Sequence, residues 1–143
     1  MTLRSGMTVE AMNQRGAGCL PGLVGFRVMA LEQGLLVAEL DVRRELLAPN
    51  GFLHAATVVA LADTACGYGC IAHLPRGAEN FTTVELKTNF LGTARDGTLA
   101  CVAKPAHLGH TTHVWDATVT RKTDGAAIAL FRCTQMILWP KGK

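Results

Sequence analysis

An aspartate stands alone in the longest apolar stretch of the chain. Residues 53–74, LHAATVVALADTACGYGCIAHL, hold one carboxylate, Asp63, near their middle, with His54 and His73 close to the two ends. An ionised, unpaired acid in apolar surroundings costs several kcal/mol. The side chain must therefore be paired, neutral or in use. A carboxylate kept away from bulk water is suited to removing a proton or to attacking a polarised carbonyl. The same residue could also serve the fold alone, bonded to a neighbouring hydroxyl or backbone group.

Other reactive side chains are less informative. The five cysteines (Cys19, Cys66, Cys70, Cys101 and Cys133) form no CxxC pair, and four fall in apolar runs. Reduced cysteines used as small hydrophobes look like this, which favours a reducing cytoplasm. The first eighteen residues, MTLRSGMTVEAMNQRGAG, carry no apolar core of a secretory signal. His107, His110 and His113 with Cys101 raise the question of a metal. No acid or further cysteine completes a ligand set at recognisable spacing, so no metal or other cofactor is expected. The net charge of +3 suits an anionic ligand but is too small to argue for nucleic acid.

The elements that must hold Asp63 follow from pattern. The 143 residues are read as a single domain, with 17% charged and 49% hydrophobic residues pointing to apolar surface buried against other subunits. Residues 1–22 read as an N-terminal segment with a short helix over 7–14 and a Gly/Pro loop at 19–22. Strands are expected over 23–31 and 35–42, joined through Glu32-Gln33-Gly34. Ala48-Pro49-Asn50-Gly51 is a turn. Residues 53–74 are too long for a strand and read as a helix. Their length reaches the membrane-spanning threshold, but the central Asp63, the terminal histidines and the β-rich remainder argue against that. In this reading Gly67, Gly69 and the alanines allow close approach of another backbone. Four strands follow, over 81–91, 97–104, 111–121 and 126–139, expected as a meander, and residues 140–143 as a frayed tail. A helix apolar all round needs cover on every side. One curved antiparallel sheet supplies part of it and a second copy the rest, giving an α+β fold and a dimer.

The run Ala48-Pro49-Asn50-Gly51-Phe52-Leu53-His54-Ala55-Ala56, with Leu61-Ala62-Asp63 downstream, resembles the signature of hotdog-fold acyl-CoA thioesterases of the phenylacetate-degradation type. Members carry Gly-x-x-His-Gly-Gly followed by Ala-Asp, and here Gly51 stands three before His54 and Asp63 nine after it. The resemblance continues through residues 83–91 (TVELKTNFL) and Leu108-Gly109-His110, covering roughly 35–138. It implies a central helix wrapped by a curved antiparallel sheet, and metal-free hydrolysis of an acyl-CoA, aryl or arylacetyl among the candidates. It also implies a homo-oligomer, with a tetramer common. Asp63 takes the place of the nucleophile or general base, and the Ala55 N–H that of the group polarising the thioester carbonyl.

His54 is expected to shape the turn that aims this amide rather than to move protons. Asn50 and Gly51 are turn residues that also lie where the thioester or a water would be met; Thr83 is either a water-orienting hydroxyl or an ordinary strand threonine. Ala56 and Tyr68 are placed against the substrate, Tyr68 in the acyl pocket, and Gly109 and His110 at the CoA phosphates. Arg76, Lys87, Arg95, Lys104, Arg121 and Lys122 are further cations for those phosphates. Two departures stand out. Ala55-Ala56 replaces Gly-Gly, which would hinder catalysis if glycine were needed for positive φ or close approach. Ala48 also stands six before the histidine, where many relatives have a polar residue.

Ala55 and Asp63 are eight residues apart, about 12 Å along a helix. One thioester carbon cannot reach both in the same chain. Two such helices packed antiparallel about a two-fold would bring Asp63 of one to Ala55 of the other. The Gly-Gly replacement leaves a non-catalytic acyl-CoA-binding protein as the rival. A hotdog hydratase would carry an Asp and a His five apart at the helix start, and that pair is missing.

Overall fold

A computed structural model of the chain describes residues 2–142. Two short helices come first, α1 (Val9–Arg15) and α2 (Leu20–Val24), then β1 (Arg27–Glu32) and β2 (Leu35–Asp41). A single 3-10 turn (Arg44–Leu46) precedes the long helix α3 (Ala55–Ala72). Four strands complete the chain: β3 (Asn80–Phe90), β4 (Thr98–Leu108), β5 (Thr112–Arg121) and β6 (Ala127–Leu138). This is the hotdog fold, one central helix against a six-stranded antiparallel sheet.

Four expectations need correction. Residues 19–22 are not a loop but open α2, because Pro21 sits in the first turn, where a missing N–H costs nothing. Gly25, at φ 79°, ends that helix, so β1 begins at Arg27 rather than at 23. The last four strands are not a simple meander either. The order is β1-β2-β4-β5-β6-β3: β4, β5 and β6 are successive neighbours, while β3 lies beyond β6. The helix explains this, since α3 packs across β2, β4, β5, β6 and β3 and hands the chain over at the far side of the sheet. Finally β4 runs on to Leu108, past the break expected at Pro105. Its pairing with β5 shifts between Pro105 and His107, and a bulge is where a residue lacking N–H is tolerated.

The core lies between α3 and the inner face of the sheet. Leu36, Ala38 and Leu40 from β2, Leu99, Cys101 and Ala103 from β4, and Trp115 and Val119 from β5 are wholly or almost wholly buried there. Leu61, Ala62, Ala65 and Cys66 of α3 meet them. The helix is apolar and long enough to cross a membrane, but 67% of it lies inside this fold, as a core helix does. Its glycines do not make room for a second backbone. They admit rings from the chain's own sheet: a Cβ on Gly69 would stand 2.6 Å from Trp115, and one on Gly67 3.1 Å from Phe81.

The two edges of the sheet differ. At β1 the Asn13 side chain of α1 bonds both backbone groups of Val28, with Val28 N donating to Oδ1 at 2.7 Å and Nδ2 donating to the Val28 carbonyl at 3.1 Å. That edge is plugged. At β3 eleven residues run along an edge with nothing beyond it among the described residues. Val84, Leu86 and Phe90 are exposed there, with Leu91 just after the strand. A long apolar edge of this kind is a template for pairing with another chain.

Gly69 sets how closely α3 lies on the sheet. Gly69→Ala should therefore destabilise by about 1–3 kcal/mol through overpacking against Trp115, outweighing the roughly 1 kcal/mol that alanine gains in a helix. Denaturant titration of the two proteins checks this, and an alanine variant as stable as the parent would refute it.

Candidate active site

The start of α3 is anchored by its preceding loop. The Asn50 side chain accepts from Phe52 N at 3.1 Å, and Gly51 adopts φ 85°, which a side chain would strain. Leu53 N donates to the Ala94 carbonyl, His54 N to the Leu46 carbonyl, and Thr57 Oγ1 to the same Leu46 oxygen at 2.9 Å. The helix start is thus tied to two separate parts of the chain. Asn50 and Gly51 build the turn.

His54 is the N-cap. Its Nδ1 accepts from Ala56 N at 2.9 Å, and its carbonyl accepts from Thr57 N at 3.0 Å. Since Nδ1 accepts, the ring proton sits on Nε2. The first-turn donors are thereby used except one: the Ala55 N–H has no partner among the described residues, and the residue is exposed. An unpaired N–H at the positive end of an eighteen-residue helix is a place where developing negative charge is stabilised. Ala55 and Ala56 both lie in the helix, and no described non-glycine residue has positive φ. Alanine costs nothing in backbone conformation here, and the donor is retained.

Asp63 lies two turns along the same helix. It is half-buried, and its Oδ1 is enclosed with no hydrogen-bond partner. Burial alone raises its pKa above the usual carboxylate value. With Ala56, Val59, Ala60 and Thr64 it forms the strip of α3 that the sheet leaves partly or fully open. The carboxylate is thus dry enough to be a stronger base than a surface aspartate, and it is not engaged elsewhere.

The remaining site residues divide. Thr83 on β3 is exposed and pairs in register with Gln135 of β6. Tyr68 is not brought beside Asp63 in this chain. It is buried against the N-terminal segment, its ring edge-on to Phe26 at 5.3 Å and its hydroxyl near Gly16. Gly109 and His110 form the β4–β5 turn, where Gly109 N donates to the Thr112 carbonyl at 2.9 Å. A Cβ on Gly109 would meet His107 Nε2 at 2.5 Å and the Thr112 carbonyl oxygen at 3.0 Å, so a larger residue would have to displace the His107 ring. His110 stacks on Trp139 at 4.1 Å, and Trp139 Nε1 donates to the His110 carbonyl.

Beside this turn lies a cleft of about 460 Å³ at the C-terminal end of α3, lined by His73, Arg76, Gly109, His110 and His113 among others, with no carboxylate. Of the other cations considered, Arg121 is held by Asp124 and Lys122 by Glu39, while Arg95 stacks 4.1 Å over the Phe52 ring. Lys104 pairs in register with Asp116, and Lys87 is exposed on β3.

A buried pair near this cleft was not legible beforehand. Cys70 Sγ lies 3.3 Å from His113 Nδ1. Burial pushes the thiol up to about 12 and the imidazole down to about 4, the latter helped by His73 and His107. Both groups are therefore neutral, not a thiolate–imidazolium nucleophile. The thiol donates to Nδ1, the better acceptor, which leaves an N–H on Nε2. Forty-three residues separate the two, and only the packing of α3 on β5 unites them.

Residues 50–128, more than half of the chain, match the family model described as "Thioesterase superfamily". The chain belongs to that superfamily. It is 31% identical over 112 residues to the 1,4-dihydroxy-2-naphthoyl-CoA hydrolase of Escherichia coli, covering 76% of this chain and 79% of that protein. A mutant of the thioesterase PA1618 from Pseudomonas aeruginosa superposes with a TM-score of 0.90 at 28% identity, over 96% of this chain and 99% of that one. The E. coli PaaI protein from the phenylacetic acid degradation operon shares the fold, with a TM-score of 0.79 at 23% identity over 90% of each chain. Like the E. coli hydrolase and the P. aeruginosa thioesterase, the chain is a thioester hydrolase.

Because burial raises the Asp63 pKa, the folded state binds a proton more tightly than the unfolded one. Stability therefore falls as pH rises from the unfolded value, about 3.9, through the folded one. Asp63→Asn removes that loss. The variant should melt higher than the parent above this window, with the gap closing as pH is lowered through it, and calorimetry over a pH series reads both.

Proposed function

We propose that the chain hydrolyses an acyl-CoA at a site shared between two copies, with Asp63 of one and the Ala55 N–H of the other. The observation that carries this is the pair of idle groups on α3. One is an unpaired donor at the helix start, and the other an unpartnered carboxylate about 12 Å further on. Neither is used by the fold, and one carbonyl cannot touch both in a single chain.

The open β3 edge supplies the means of bringing two copies together. Pairing β3 with β3 about a two-fold would extend the sheet and lay the two α3 helices side by side and antiparallel. Leu86, Thr88 and Phe90, on the same side of β3 as the core residues of β6, would then cover the partner's α3 strip. In the reaction Asp63 takes a proton from a water as its oxygen attacks the thioester carbon. The resulting oxyanion is held by the Ala55 N–H. Collapse breaks the C–S bond, and the departing CoA sulfur receives the proton. Direct attack by Asp63, through an anhydride that water then opens, uses the same two groups.

The cleft beside Gly109 and His110 suits the CoA phosphates, with Arg76 for charge and the N–H on His113 Nε2 as a donor. An aromatic acyl group is in keeping with the hydrolase named above, and Thr83, exposed beside the proposed interface, is placed to orient the water.

Two variants separate the roles. Ala55→Pro removes the donor while keeping the helix, since proline is favoured at the first helical position and His54 is already extended at ψ 136°. It should lower kcat about 10²–10³-fold. Asp63→Asn should abolish turnover. Mixing the two inactive proteins under subunit exchange should restore about a quarter of wild-type activity, because half the dimers are mixed and each has one intact site. A mixture no more active than its parts would place both groups in one subunit. Acyl-CoA binding without thiol release by the wild type would favour a binding protein.

A further inference from the structure

The inner face of β6 is apolar except at one position. Phe131, Cys133 and Ile137 are buried as expected, and between the last two stands Gln135, with no exposed surface. Neither its Nε2 nor its Oε1 has a hydrogen-bond partner. A buried primary amide with all of its capacity unused destabilises the fold that holds it. The fold therefore carries a polar group it gains nothing from.

The direction in which the amide points gives it a use. Gln135 Nε2 lies 4.0 Å from where a Cβ of Gly67 would stand, and Gly67 is one helical turn beyond Asp63 on the same face of α3. Glycine at 67 leaves the space beside the amide to the half-buried Phe81 ring, which would stand 3.1 Å from a Cβ there and is the one side chain between Gly67 and the β3 side. On the neighbouring strand the register partner of Gln135 is Thr83, which is exposed.

We propose that Gln135 determines acyl specificity, forming the polar end of a pocket that runs from Asp63 past Gly67 once Phe81 moves aside. This rests on Asp63 marking the thioester carbon. From there one helical turn is about 6 Å, close to the length of a benzene ring with its para substituent. An acyl group carrying a hydroxyl or other hydrogen-bonding atom at that distance satisfies the amide. One ending in C–H leaves it unpaired. A site built around a buried polar group discriminates strongly against the analogue that lacks the matching group.

The test uses matched pairs: 4-hydroxybenzoyl-CoA with benzoyl-CoA, and 4-hydroxyphenylacetyl-CoA with phenylacetyl-CoA. The wild type should favour the hydroxylated member of at least one pair at least tenfold in kcat/KM. Gln135→Met, an unbranched apolar replacement, should erase that preference, lowering kcat/KM for the hydroxylated member by the factor that separated the pair. It should also melt no lower than the wild type, since it removes an unpaired polar group. A wild type that favours neither member of either pair overturns the proposal. So does a variant that slows both members equally, and so does one that melts lower, which would mean the amide is paired within the fold. Failure of the catalytic reading is separate: it appears as an Asp63→Asn variant active on every substrate.

Discussion

The structure turns on the covering of one helix. Eighteen residues of α3 are apolar or small on nearly every side, and a six-stranded sheet can wrap only part of that circumference. Everything else follows from which part. The buried side fixes the helix height through Gly69 against Trp115. The loop before it, tied to Leu46 and Ala94, fixes the helix start. The uncovered strip is where the only acid of the helix lies, and it borders the strand whose edge is open.

The hydrogen bonding at the two ends of α3 is arranged to opposite effect. At the start His54 takes the Ala56 N–H and leaves that of Ala55 unused. At the end His73 is fully engaged, its Nδ1 donating to the Gly69 carbonyl at 2.7 Å and its Nε2 accepting from Gly34 N at 2.8 Å. One histidine withholds a donor from the fold and the other closes off the helix. A site that must stabilise a transient charge needs the first arrangement and is kept steady by the second.

Much of this was legible in the chain itself. The isolation of Asp63, the turn at Asn50-Gly51 and the helix between two sets of strands are local signals, and local signals survive folding. The order of the strands is not local. Nothing in 81–91 says that it pairs with residues 127–138 rather than with the strand that follows it, because that choice is made by the path of α3 across the sheet. Tyr68 is different: five residues from Asp63, it is turned about 140° away from it by helical spacing alone, and what spacing does not give is its partner Phe26. Cys70 with His113 joins residues on different elements, and only the packing of α3 on β5 makes them neighbours. Gln135 left a faint trace, a polar side chain at an inward position of an otherwise apolar alternation. The replacement of Gly-Gly by Ala55-Ala56 looked costly in sequence, yet it costs nothing in backbone conformation, because both residues lie in ordinary helix.

Asn13 has a consequence beyond bracing α1. Its amide occupies the N–H and the carbonyl of Val28, so the β1 edge is blocked at that residue while the β3 edge stays open. Edge-to-edge growth with a single adhesive end stops at a pair. The block at Val28 thus works against stacking the sheets into an endless ribbon.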